Sequence, residues 1–234
     1  MPPSSGSDLS IMQEVGRSIR EAIRYLGLAK GVRLIIVIVT LHCFFTMGFD
    51  AMLAIHTREV LDGGATKFGA LLMGLGTGAL LGMIGLMRVS SEAKRGPIFV
   101  IGGVISSAGL VVLGLAPDFP TAMTGAIITG AGATIFVALG STFIQEVVPD
   151  GIRGGVLSVY FMFAGGIMPI MSFGNGAAAD VISTRLLISV PAVAFMLLLI
   201  VWALAGRDLR RVSQRGTLAT PDQPAVSAVA AGSG

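Results

Sequence analysis

From Leu34 onward the chain is a succession of long apolar stretches separated by short polar connections. Six stretches reach the length a helix needs to cross a bilayer. At 1.5 Å per residue, about 30 Å of hydrocarbon takes about 20 apolar residues. They run from Leu34 to about Ile55, Phe68 to Met87, Pro97 to Ala116, Pro120 to about Ile144, Gly155 to Ala178 and Leu186 to Gly206. Pro97 and Pro120 stand at span starts, where a missing N–H costs nothing. Asp62-Gly63-Gly64, Pro117-Asp118-Phe119-Pro120 and Pro149-Asp150-Gly151 read as turns. The period-two alternation of a β-barrel is absent, and a helix pairs its backbone groups within its own segment, as lipid demands. The pattern predicts an all-α integral membrane protein whose six transmembrane helices occupy residues 33–206.

A different pattern precedes the first span. Met12, Val15, Ile19, Ala22, Ile23 and Leu26 recur at steps of three and four, while Arg17, Arg20 and Arg24 lie largely off that face. Residues 11–32 are therefore expected to form an amphipathic helix, lying on the membrane surface or docked against the bundle. The first 33 residues carry charges throughout and lack the apolar core of a signal peptide. Residues 1–10 and 207–234 are rich in Ser, Gly, Pro and Ala and are expected to be disordered tails.

Composition agrees with the pattern. Hydrophobic residues make up 53% of the chain and charged residues 12%, against about 25% charged in an ordinary soluble domain. A soluble globular protein and a disordered chain are both excluded. The single cysteine, Cys43, excludes an intrachain disulfide framework and a multi-Cys metal site, so neither a metal nor a cofactor is expected. Charge placement predicts orientation. Of 16 Lys and Arg, 13 fall on the side that holds the N-terminal segment, the loop between the second and third spans, Arg153 and the C-terminal tail. The opposite side holds Arg58, Lys67 and Arg185. That asymmetry predicts a multi-pass protein of the plasma (inner) membrane with both termini in the cytoplasm. The basic residues are dispersed at span ends, so the net charge of +3 gives no support to nucleic-acid binding.

Glycine is uneven. The second span holds Gly69, Gly74, Gly76, Gly78, Gly82 and Gly85, and the fifth holds Gly155, Gly165, Gly166, Gly174 and Gly176. Small residues permit close helix contact in lipid, and Gly74, Gly78, Gly82, Gly165, Gly166 and Pro169 are the candidate packing positions. The two richest helices occupy matching places when the spans divide into two triplets. Three is odd, so the second triplet enters the membrane upside down relative to the first. That 3+3 inverted repeat is a plan used by secondary transporters.

Particular runs carry a family resemblance. Phe49-Asp50-Ala51-Met52-Leu53 leads into Val60-Leu61-Asp62-Gly63-Gly64-Ala65, then Phe68-Gly69-Ala70-Leu71-Leu72-Met73-Gly74 and onward to Gly82. This resembles the seventh and eighth helices of a major facilitator superfamily transporter, most of all the branch of the enterobactin exporter and related drug exporters. Val148-Pro149-Asp150-Gly151-Ile152-Arg153-Gly154 is similar to the family's loop between helices ten and eleven. Glu14-Val15-Gly16 and Arg24-Tyr25-Leu26 resemble the end of its central loop. The likeness covers about residues 11–210. It implies half of a major facilitator fold, secondary active transport by alternating access, and proton-coupled efflux of a small amphipathic or siderophore-like compound.

Two departures stand out. Gly155 occupies the place of a second basic residue, and the family's N-terminal half, with its motifs, is absent. Since these transporters bind substrate between two halves, the chain is expected to need a second half. It is a fragment or truncated frame, the partner of a separately encoded N-terminal half, or one copy of a homodimer.

Ionisable residues within spans are candidates for function. Asp50 lies 16 positions into the first span, about 24 Å along its axis. It is a candidate to take up a proton or face a cationic substrate, or is a hydrated residue at the outer mouth. His42 lies deeper, as a proton relay or a core histidine held by a helix neighbour. Phe45 and Phe49, with Phe44, Phe161 and Phe163, either line an apolar transport path or pack. Glu146, Asp150 and Arg153 cluster at the inner end of the fourth span, with Arg88, Lys94 and Arg95 as a matching basic set. They form a candidate gate that holds one access state closed, or reflect membrane topology alone. Ser106, Ser107, Thr124, Thr129 and Gln145 read as packing residues, and Asn175 and Asp180 mark the outward end of the fifth span.

Enzymatic readings fare worse. Gly140-Ser141 supplies half of an intramembrane serine protease, but the only histidines are His42 and His56, and a Ser without its base is not activated. His-Glu-x-x-His is absent, as are the paired Asn-Pro-Ala motifs of a water channel. A non-transporting assembly subunit stays open.

Overall fold

The computed structural model describes residues 5–88, 92–179 and 181–205, and among them there is no strand. The helices are α1 (Ser5–Leu28), α2 (Lys30–His42), α3 (Asp50–Glu59), α4 (Ala65–Met87), α5 (Glu92–Leu115), α6 (Phe119–Val147), α7 (Asp150–Gly166), α8 (Met168–Ala178) and α9 (Thr184–Ala205). A π-helical turn, Cys43–Met47, joins α2 to the Gly48–Phe49 break before α3. Six helical stretches are long and apolar enough to cross a membrane: Lys30–Glu59, Ala65–Met87, Arg95–Leu115, Phe119–Val147, Asp150–Ala178 and Thr184–Leu204. They coincide with the six predicted spans and alternate in direction, so the two triplets are inverted. The first and fifth spans are each broken once.

One expectation changes at the N-terminal end. A helix begins at Ser5, within the segment expected to be an unstructured tail. The expectation for 207–234 lies outside the described residues, as does Asp180. Helix α1 docks on the bundle, with Ala22 and Tyr25 buried. Gly155, the departure from the family's pattern, is the reason it can. A Cβ there would stand 2.7 Å from the Ser18 carbonyl, so only glycine lets α1 and α7 approach backbone to backbone. Burial also pushes the Tyr25 hydroxyl's pKa up.

The core has two clusters along the membrane normal. The one on the α1 side gathers Ala22, Tyr25, Ile35, Val39, Phe99, Phe136, Phe143, Tyr160 and Phe195. The one at the far side gathers Phe49, Met52, Leu53, Leu71, Leu110, Leu113 and Ile188. Between them α6 is pressed against two neighbours through small residues. A Cβ at Gly78 of α4 would overlap the Ile127 carbonyl, and one at Gly130 of α6 would overlap the Leu75 carbonyl. On the other flank a Cβ at Gly125 would stand 2.6 Å from the Leu113 nitrogen. Lipid supplies no hydrophobic drive between helices, so close backbone approach is what holds them. The start of α6 is fixed by Asp118, whose side chain accepts from the Thr121 N–H at 2.9 Å, with Pro120 in the first turn.

Candidate transport path and its hinge

The break in the first span forms where Cys43-Phe44-Phe45-Thr46-Met47, with two aromatic residues and the β-branched Thr46, runs into Gly48. A π-helical turn leaves a carbonyl without its usual partner, and such turns are frequent at functional sites. Here the orphan is the Gly48 carbonyl. It accepts from Asn175 Nδ2 at 3.1 Å and from Ser172 Oγ at 3.3 Å, both on α8. A Cβ on Gly48 would stand 2.6 Å from that of Met171, so glycine is required for the approach. The fifth span breaks nearby, at Ile167 between α7 and α8, with Pro169 in the first turn of α8. The two broken spans are thus hydrogen-bonded to each other.

The first span is tied at two further levels. His42 Nε2 and Ser106 Oγ of the third span share a hydrogen bond of 3.1 Å. His56 Nδ1 and Thr184 Oγ1 of the sixth share one of 3.2 Å. Both histidines are fully buried. His42 also sits 4.7 Å from the Phe136 ring and 5.1 Å from that of Phe195. The first span therefore carries three polar rungs, to the third, fifth and sixth spans in turn.

The expected path residues have varied surroundings. His42 is enclosed by the third, fourth and sixth spans, where its ring completes an aromatic cluster. Phe49 is 4% exposed and belongs to the far-side core. Phe45 is half-buried, with its ring edge-on to Phe44 at 5.1 Å. Asp50 is the first residue of α3; its side chain lies outside the described part of the molecule. Phe161 and Phe163 point outward.

The expected gate divides into separate pairs. Arg95 of α5 pairs with Glu146 of α6, joining the third and fourth spans. Arg153 pairs with Asp150 at 2.6 Å within α7, and its Nη2 donates to the Val148 carbonyl at 3.3 Å. Arg88 is exposed at the end of α4. Asp150 is 89% exposed, so its pair contributes little by itself. Among the packing candidates, Gly74, Gly78 and Gly82 are buried on α4. Gly165 and Gly166 are exposed, with no atom within 4 Å of an added Cβ, and Pro169 is exposed as well. Among the described residues the fifth span turns the face of those three away from the bundle.

Sequence reasoning passed over Gly48, Ser172, His56 and Thr184, and placed Asn175 only at a span end. The signal available was the interruption of two apolar stretches, by Gly48 and by Gly165-Gly166 with Pro169. Ser107, Thr124 and Thr129 bond the carbonyl four residues back in their own helices, whereas Ser106 reaches across to His42.

Six alternating spans with two of them broken define a polytopic helical membrane protein of the secondary-transporter architecture. Comparison with known proteins makes the class specific. The sequence pattern of the family described as transmembrane secretion effector, within the major facilitator superfamily, matches residues 5–231. The chain belongs to that family. Among solved structures it is similar to the proton:xylose symporter XylE bound to 6-bromo-6-deoxy-D-glucose. That match has 18% identity and a TM-score of 0.53, and covers 87% of this chain and 52% of the symporter. The chain thus spans about half the length of that transporter. No curated protein matches it.

Proposed function

We propose that this chain is one half of a proton-coupled exporter of small amphipathic or siderophore-like compounds, and that it works when joined to a second six-span half. The likeness to half the length of a solved transporter carries this reading. Two further observations support it. The hydrogen-bonded breaks of the first and fifth spans supply a hinge of the kind alternating access needs. The second and fifth spans carry Gly69, Gly76, Gly85, Gly165, Gly166, Gly174 and Gly176, whose added Cβ atoms would meet nothing within 4 Å among the described residues. Glycines of the third and fourth spans, such as Gly109, Gly114, Gly125 and Gly132, meet a neighbouring helix. The unmatched glycines suit contact with a second half, either a separately encoded one or a second copy. The distribution of Lys and Arg supports a plasma-membrane protein with both termini cytoplasmic. Asp50 takes up the proton, and Arg95–Glu146 with Asp150–Arg153 stabilise one access state.

The test is flux of ethidium, an amphipathic cation, in proteoliposomes under an imposed pH gradient. Gradient-dependent flux is expected only from preparations in which the chain is associated with a second bundle. Asp50→Asn should reduce it several-fold. Flux from strictly monomeric chain overturns the need for a second half, and flux indifferent to Asp50→Asn overturns the role of that carboxyl.

A further inference from the structure

The outer surface of α1 is unused by the transport reading. We propose that α1 and the start of the first span form a binding surface for the headgroups of anionic phospholipids. The helix has three faces. Ala22 and Tyr25 are buried against the bundle. Arg17, Arg20 and Arg24 are exposed on another side. On one flank of the arginine face Ile23 is 58% exposed, and on its other flank Leu28, at the end of the helix, is 52% exposed. Lys30 and Arg33 extend the basic surface into α2, and the Arg33 Nη1 donates to the Gly27 carbonyl at 3.3 Å across the junction. Residues 16–33 hold these five cations against one acid, Glu21, which lies 3.1 Å from Arg17.

Location decides what such a surface meets. The first span begins at Lys30, so α1 lies where the bundle leaves the membrane. The backbone contact of Ser18 with Gly155 fixes it there. An interfacial helix sinks apolar residues into the boundary of headgroups and acyl chains, while its basic residues reach phosphate. Ile23 between Arg20 and Arg24 has that composition. A soluble acidic partner would meet the same charge but leave Ile23 and Leu28 beside water, so exposed apolar side chains on both sides of the basic face favour lipid. Because α1 is already docked, its cations are held in place before lipid arrives, which lowers the ordering cost of binding. The surface does not depend on what the chain transports.

The test is native mass spectrometry of the full chain with an equimolar mixture of phosphatidylglycerol and phosphatidylcholine of identical acyl chains. Phosphatidylglycerol adducts should predominate. Near an anionic surface each Lys or Arg contributes about 1 kcal/mol, or about fivefold. Replacing Arg17, Arg20 and Arg24 by Gln together should remove most of the preference, and replacing all three by Lys should retain it. Arg58→Gln with Arg185→Gln, at the opposite end of the bundle, should also retain it. Circular dichroism shows whether the triple Gln variant folds; if it does not, Arg20→Gln alone should lower the preference by about fivefold. A wild-type chain with no headgroup preference, a preference untouched by the Gln variants, or one lost equally at the opposite end overturns the proposal.

Discussion

Asn175 partners the carbonyl that the break in the first span would leave bare, and it does so from a helix 127 residues away in sequence. Asn175→Ala leaves Ser172 as the remaining donor. Interhelical hydrogen bonds in membranes contribute about 0.6 kcal/mol on average and up to about 1.7 kcal/mol. The variant should lose stability in that range, with faster hydrogen exchange confined to residues around 44–52. Uniform acceleration across all spans would show that the bond belongs to the global fold and not to a hinge. At the surface, the Thr121 hydroxyl and N–H hold the Asp118 carboxyl below the usual carboxylate range. Its ionised form is then the one favoured by folding, so the contribution is full above the unfolded value, about pH 4, and is lost as pH falls on through the lower folded-state value. Thermal midpoints of the wild type and Asp118→Ala should differ at neutral pH and converge below about pH 3. The roles of these two residues differed in legibility. Asp118 was readable as a turn residue because capping is a local affair. Asn175 was not readable as a latch, because the composition of its own helix says nothing about which distant carbonyl has lost its partner. His42 was open to two readings for the same reason: the Phe136 and Phe195 rings and the Ser106 hydroxyl that enclose it come from three other spans.

Spans were the most legible feature, since length and apolarity are imposed by the bilayer itself. Contacts between spans were less so. Glycine content pointed to α4, and there Gly74, Gly78 and Gly82 do lie buried. It pointed equally to the fifth span, where a Cβ on Gly165 or Gly166 would meet nothing within 4 Å among the described residues. Composition marks a helix as able to pack closely but does not say against what. The central helix turned out to be α6, with Gly130 turned to α4 and Gly125 and Gly132 turned to α5. At Gly130 the obstacle to a side chain is the Leu75 carbonyl, which is backbone and has no rotamer to change. Gly130→Ala should therefore separate α4 from α6 and cost about 1–3 kcal/mol, the usual range for an overpacked core. A lower thermal midpoint in detergent checks this. An unchanged midpoint would mean that the two helices can shift apart without loss.

At the scale of the whole molecule the second and fifth spans share a property that distinguishes them from the sixth. All three turn much of their surface outward. The sixth presents Leu186, Val190, Leu197, Val201 and Leu204, side chains suited to acyl chains. The second and fifth present glycines among their exposed methionines, leucines and phenylalanines. Glycine gives lipid no more contact than leucine would and costs backbone order in a helix, so its presence on an outward face is better matched to an approaching helix. This separates stability from assembly in a measurable way. Gly76→Leu and Gly165→Leu place a side chain in open space, so the melting of the isolated bundle should stay within about 0.5 kcal/mol of wild type, as for substitutions away from packing. The same changes should weaken association with a second half, read as loss of the larger species in analytical ultracentrifugation and of gradient-dependent ethidium flux. Because Gly130 acts inside the bundle and Gly76 outside it, the two classes of variant fail in opposite assays. Gly76→Leu and Gly165→Leu proteins that assemble and transport as well as wild type would assign those faces to lipid and remove the glycine faces as support for a second half.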